Sequence, residues 1–162
     1  MTGVQTCALP IYGYSRIERG LKIIRKSIIF EKNYWSIGSA HDGYVKQFGI
    51  IHDRQIEFFP ENNKFIGYDK LIKKKNFKSS NFEIRFHLEP NIKIMKTQDG
   101  KSIFIGLNNE GWKFTCANHK FDIETGLYFG NKNSYTENQN IFISGMTQNE
   151  DQTIKWELVK IT

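Results

Sequence analysis

Apolar and polar side chains alternate along most of this chain with a period of two. In "NFEIRFHLE", residues 81–89, Phe82, Ile84, Phe86 and Leu88 fall on one phase, and Glu83, Arg85 and His87 fall on the other. Successive side chains of a strand point to opposite faces, so this alternation predicts a half-buried strand. The rhythm recurs in "KSIFIGL" (Ile103, Ile105, Leu107), "GWKFTC" (Trp112, Phe114, Cys116), "QNIFISGM" (Ile141, Ile143) and "TIKWELVKI" (Ile154, Trp156, Leu158). Nearer the start, "KIIRKSIIF", "YWSIGS", "KQFGIIHDRQIEFF" and "KFIGYDKLI" read as further strands. Turn signals separate these runs: "PENN" (60–63), "EPN" (89–91), "QDGK" (98–101), "NNEG" (108–111), "ANHK" (117–120) and "GNKN" (130–133). The Asp-Gly pair in the third is favoured in tight hairpins. Strands of about 5–10 residues with a turn every 8–15 residues or so predict an all-β fold, an antiparallel β-sandwich. The chain has no βαβ alternation and no fixed-period repeat, which argues against a dinucleotide-binding unit, a solenoid or a propeller. The one stretch with a helical look is "SRIERGLK" (15–22).

Composition sharpens this picture. After residue 11 the only alanines are Ala40 and Ala117, which disfavours long helices. Tyr12 to Thr162 is the size of one domain, and about 150 residues can bury roughly 68–70% of their unfolded surface. No segment approaches the ~20 consecutive apolar residues of a membrane-spanning helix. The formal charge is +6. It fits an anionic partner such as an acidic polysaccharide or a nucleic acid, and it equally fits an AT-rich coding sequence dominated by Lys, Asn and Ile. The run Lys73-Lys74-Lys75 reads as a solvated turn. With Cys7 set aside, Cys116 has no partner for a disulfide or a CxxC metal pair, and its apolar phase predicts a small buried side chain. HExxH, GxSxG, P-loop, GxGxxG and RNA-recognition signatures are all missing from the sequence. No metal, no cofactor and no nucleic acid is therefore expected.

The first eleven residues, "MTGVQTCALPI", stand apart from the rest. They have no hydrophobic period, and they resemble the translation of a short-read sequencing adaptor. That adaptor leaves a T to begin the next codon, as the tyrosine at position 12 requires. A native disordered N-terminus is the alternative. Residues 1–11 are expected to be unstructured and 12–162 to form the domain, with Tyr12 falling in mid-gene.

Candidate chemistry gathers in two stretches. In "SAHDGYVKQFGIIHDRQIEF" (39–58) the phase Phe48, Ile50, His52, Arg54, Ile56, Phe58 is apolar except at its middle. Polar groups on an apolar phase must be hydrogen-bonded or lie at a cleft. In "RFHLEP", Arg85 and His87 sit two apart on a polar phase, so an H-x-R strand and an R-x-H strand could meet across an antiparallel pair. One reading is a cationic surface that grips sugar carboxylates, with Arg as a planar fork and His as a titratable neighbour. The other is structural, with these groups satisfying Asp42, Asp53, Asp69 or the backbone. His41 lies in "HDGY", where Asp42 forms a tight turn and Tyr44 packs. His119 falls in a turn and is expected to be exposed.

Taken in order, "SAHDGYVKQFGIIHDRQI", "RFHLEPNIKI", "NNEGWKF", "LYFGNKNSYTENQNIFISG" and "IKWEL" resemble the C-terminal part of bacterial heparinase II/III-like proteins. The resemblance covers essentially all of 12–162. It implies an N-terminal α-helical toroid joined to a C-terminal antiparallel β-sandwich, in a polysaccharide lyase that cleaves uronic-acid-containing glycans such as glycosaminoglycans by β-elimination. In such enzymes a base removes the proton beside the uronate carboxylate while that carboxylate is neutralised. Tyrosine and histidine do the proton work, and Asn or His helps to neutralise the acid. A segment like "HGHAD", which carries the β-domain and metal-site histidines in the family, does not occur before "HDGY", so no catalytic or metal residue is carried over. His41, Tyr44, His52, Arg54, Arg85 and His87 remain as candidate substrate-binding residues on one wall of the cleft. The resemblance thus implies a C-terminal fragment, inactive without its missing N-terminal α-toroid, which would meet an anionic polysaccharide through the full-length protein in the cell envelope or periplasm. The alternatives are a non-catalytic module that binds anionic glycans, and a structural sandwich with an exposed apolar patch where its partner docks.

Overall fold

A computed structural model describes residues 21–107, 109–131 and 134–161. The adaptor-like stretch 1–11 and all but the last two residues of the predicted helical turn 15–22 lie outside the described residues.

Among the described residues eleven strands follow in chain order: β1 (Ile23–Glu31), β2 (Tyr34–His41), β3 (Ile50–Phe59), β4 (Lys64–Lys73), β5 (Asn81–His87), β6 (Lys93–Lys96), β7 (Ile103–Leu107), β8 (Glu110–Cys116), β9 (Lys120–Asn131), β10 (Ser134–Met146) and β11 (Gln152–Lys160). They form an eight-stranded sheet, β1-β2-β3-β4-β11-β8-β7-β6, and a three-stranded sheet, β5-β10-β9. Every pairing is antiparallel. The fold is the all-β sandwich that the period-two pattern predicts.

The core lies between the small sheet and one half of the large one. Ile84 and Phe86 of β5, Phe121 of β9, and Ile141 and Ile143 of β10 close onto Ile103, Ile105, Phe114, Cys116, Ile154 and Trp156 of the large sheet. Phe86 meets Trp156 at 4.9 Å between ring centroids, and Phe114 meets Phe121 at 5.7 Å. Each such side chain, fully buried, contributes about 1.5–3 kcal/mol, so this half carries the stability. The other half of the large sheet, β1 and β2, has no strand over it among the described residues. Ile28 is 79% exposed and Phe30 84%.

Two segments differ from the sequence expectation. The strand expected from Lys46 begins only at Ile50, because Val45–Phe48 forms one turn of helix, α1. Val45 N–H donates to the Asp42 carbonyl, and Gly49 ends the turn at φ 67°, a conformation that favours glycine. A Cβ on Gly49 would also lie 2.4 Å from the Asn76 backbone. In the second case, the β9–β10 hairpin is longer than "QNIFISGM" alone suggests. Past Thr125 its inward phase leaves the core, leaving Leu127 and Phe129 exposed, and the apolar alternation fades with it.

Candidate functional site

The register of the large sheet sets the inward side chains in cross-strand rows. One row is apolar: Phe30, Trp35, Phe58, Phe65, Leu158 and Phe114. The next is Ile28, Ile37, Ile56, Gly67 and Trp156. The third changes character, with Lys26, Ser39, Arg54, Asp69 and Ile154, and the fourth holds Ile23, His41, His52, Leu71 and Gln152. A polar patch is thereby set into an apolar face.

Asp69 is the centre of that patch. It is completely buried. Its Oδ1 accepts hydrogen bonds from Arg54 Nε at 2.7 Å and His52 Nε2 at 2.7 Å, and its Oδ2 accepts one from Trp156 Nε1 at 2.9 Å. Gly67 makes the last contact possible. The Trp156 ring lies across Gly67 of the neighbouring strand, where a Cβ would sit 2.0 Å from the ring atoms. Burial pushes the Asp69 carboxyl up, but the hydrogen bond from His52 and the charge and hydrogen bond of Arg54 outweigh it and hold it below its ordinary value.

His41 extends the chain of hydrogen bonds outward. Its Nε2 lies 3.3 Å from His52 Nδ1, and its Nδ1 accepts from Gly43 N–H at 3.2 Å. An amide can only donate, so the order of the links fixes both rings. His41 Nε2–H donates to His52 Nδ1, and His52 Nε2–H donates to Asp69. Burial, then repulsion from His52, lowers the His41 pKa, and Asp42 opposes this. The Tyr44 ring packs edge-on against His41 at 5.2 Å and stands 6.5 Å from His52. Asp42 behaves as a turn-former, its carbonyl accepting from Val45 N–H at 2.9 Å, while its carboxylate accepts from Lys22 N–H at 2.7 Å. Asp53 points to the opposite face and pairs with Arg25.

The structure therefore brings together four of the six candidates, His41, Tyr44, His52 and Arg54. It does not bring Arg85 and His87 to them. These two lie on β5, in the other sheet, on the phase opposite to Ile84 and Phe86 and so on its outer face. The H-x-R and R-x-H strands, which could have met across an antiparallel pair, do not, because β3 pairs with β2 and β4, and β5 pairs with β10. Arg85 instead bridges Glu83 at 2.5 Å and Glu124, and lies over the Phe142 ring at 5.9 Å. His87 stands opposite Asn140, its Nε2 buried without a hydrogen-bond partner among the described residues. His119 is half-buried against Phe82 at 5.9 Å rather than exposed, and burial lowers its pKa. Cys116 is buried as expected.

Reasoning from sequence did not find the Trp156–Gly67–Asp69 arrangement. Its signal is an aspartate on the inward phase of "FIGYDKLI", two residues from a glycine, and only the register with β11 shows what that glycine admits. A separate groove of about 870 Å³ runs past the β6–β7 and β8–β9 turns, lined by Lys96, Lys101, Lys120 and Lys155 against Asp122 and Glu157. Lys96 pairs with Asp122 and Lys155 with Glu157. Among the described residues there is no cluster of three His, Cys, Asp or Glu side chains able to hold a metal ion.

Comparison with known proteins places this geometry. The family model "Heparinase II/III-like, C-terminal" matches residues 10–157. The fold superposes on the heparan sulfate lyase HepC from Pedobacter heparinus with a TM-score of 0.71 at 10% identity, covering 86% of this chain and 21% of that one. A mutant of the same lyase gives 0.71 at 11% identity, with the same coverage. A heparinase III gene product gives 0.64 at 10% identity, again over 86% of this chain and 21% of the other. At such identities the likeness is one of fold, and the chain spans about a fifth of the length of these structures. No curated protein matches it.

Proposed function

This chain belongs to the heparinase II/III-like family, whose C-terminal region it matches, and on that premise we propose that it is the β-sandwich portion of a polysaccharide lyase. The whole protein cleaves uronic-acid-containing glycans by β-elimination, with the proton-transfer groups supplied from outside this sandwich. The sandwich supports that reactive portion and is inactive alone.

The supporting observation is the Asp69 cluster. Abstracting a proton beside a uronate needs a free base within reach of the sugar and a group that neutralises its carboxylate. His52 and Arg54 are the residues whose chemistry fits, and His52 Nε2–H and Arg54 Nε–H both donate to a buried carboxylate of this chain. The inner ring of the His41–His52 pair is closed off in the same way. Their arrangement builds a sheet rather than a reaction centre. The test is ultraviolet absorbance at the unsaturated-uronate band, with this chain incubated on heparan sulfate and on alginate. No rise is expected. A rise that tracks protein concentration and is lost in His41→Ala would overturn the reading.

The lysine-lined groove favours a second reading, a module that binds anionic glycans without chemistry. Exposed Lys101 and Lys120 are its natural contacts. Binding through them would weaken with salt and in the K101A/K120A double variant. Arg54 and Arg85 are poor probes of this reading, because both are already engaged by carboxylates of the chain.

A further inference from the structure

The two sheets of this sandwich do not match in width. The inward face of the large sheet continues past the small one onto β2 and β1, where Ile28, Phe30 and Ile37 are 79%, 84% and 46% exposed. Trp35 and Phe58 complete the apolar strip, their rings 5.3 Å apart. Among the described residues the small sheet ends at this margin in β5, which pairs only with β10. Phe86 of β5 lies against Trp156, and Arg54 of β3 sits 6.0 Å from the Phe86 ring. Phe121 of β9, at the other end of the small sheet, lies against Phe114. The unpaired edge of β5 therefore points toward β2 and β1.

We propose that this shelf receives β-strands from the remaining portion of the lyase polypeptide, which pair with the free edge of β5 and cover β2 and β1. The bare strip is continuous with the sheet-on-sheet interface that forms the core. It presents the same kind of row, with side chains of both sheets alternating inward. Neighbouring strands lie about 4.8 Å apart, so two added strands would extend the small sheet across the two uncovered ones. An unpaired strand edge beside an apolar floor is a template for a further strand, and a helix would leave the edge amides of β5 unpaired. The occupant is thus a strand pair with apolar residues at alternate positions. Its identity as lyase polypeptide rests on the function proposed above, and the pairing geometry does not.

The experiment co-expresses this chain with the remaining lyase polypeptide of its source gene, captures the pair through a tag, and follows amide hydrogen exchange. A one-to-one complex is expected, with exchange across Asn81–His87 slowed at least about tenfold. Phe30→Lys and Ile28→Lys are expected to weaken capture about tenfold without moving the melting temperature of this chain alone, since both side chains are exposed. Three results would overturn the proposal: no capture, capture that leaves β5 exchange unchanged as a helical cover would, or dimers of this chain that Phe30→Lys dissolves. Lyase activity of the captured pair is scored separately. A protected but inactive pair refutes the function and leaves the docking mode standing.

Discussion

Replacing Asp69 by asparagine keeps the shape of the side chain and removes its charge, which isolates what the carboxylate does. The carboxylate accepts from three donors, His52, Arg54 and Trp156. An asparagine offers one oxygen, so its NH2 group must face Trp156 N–H in one orientation, or His52 and Arg54 N–H groups in the other. Either way at least one buried donor loses its acceptor, at about 1–3 kcal/mol. The Arg54 guanidinium, its side chain only 14% exposed, loses its counter-charge as well. Removing one partner of a buried ion pair costs about 3–5 kcal/mol, and the two effects overlap, so about 3–5 kcal/mol is the expected total. Against a typical stability of roughly 5–15 kcal/mol, that is a large fraction. At about 2–4 °C per kcal/mol for a domain of this size, melting should fall by about 6–20 °C. Urea unfolding followed by tryptophan fluorescence measures it. In an Arg54→Met background the same substitution should cost clearly less, because the stranded charge is gone. The pH dependence has a definite sign. A carboxyl held below its ordinary value of 3.8 adds stability above that pH and loses it as pH falls through the folded value. Asp69→Asn should therefore flatten the acid limb below about pH 3.8. A loss under about 1 kcal/mol, equal in both backgrounds, would refute the reasoning.

Three further outcomes are expected. Gly67→Ala places a methyl group on the Trp156 ring; overpacking of this kind costs about 1–3 kcal/mol, and tryptophan emission should shift as the ring leaves Asp69. His41 and His119 are held below the ordinary value of 6.5 by burial, so the unfolded chain takes up protons first. Denaturation midpoints should fall as pH drops from about 6.5 and level off below the folded values. A midpoint that is flat or rising from pH 7 to 5 would contradict this, and His119→Gln should remove its share of the slope. Cys116 is buried and its thiol is pushed up by burial, so a thiol reagent should modify it only on unfolding, and rapid labelling of the native chain would contradict that placement.

Much of the fold was legible because its main determinant is local. Ile84 with Phe86, Ile103 with Ile105 and Ile154 with Trp156 announce their strands and their inward faces by phase alone. The limits were also physical. "VKQF" continues an apolar run, but Asp42 and Gly49 close it into a helical turn through backbone conformation rather than hydrophobicity. The pairing of strands is non-local, so phase could place His52 and Arg54 inward yet could not choose Asp69 over Asp42 and Asp53 as their partner. The same blindness put Arg85 and His87 across from them, although phase correctly set both on the polar side of β5. The division into eight strands and three left no trace in the sequence, because the bare strip on β1 and β2 reads as apolar as the buried core.

His52 and Arg54 serve Asp69 rather than a sugar. Nitrogen-15 NMR of the histidine side chains reads this directly, before and after saturation with heparan sulfate and with alginate. The His52 Nε2 signal should report its bond to Asp69 and should not move on adding either glycan. A His52 resonance that shifts with glycan, in step with binding, would show a ligand site there and contradict this assignment.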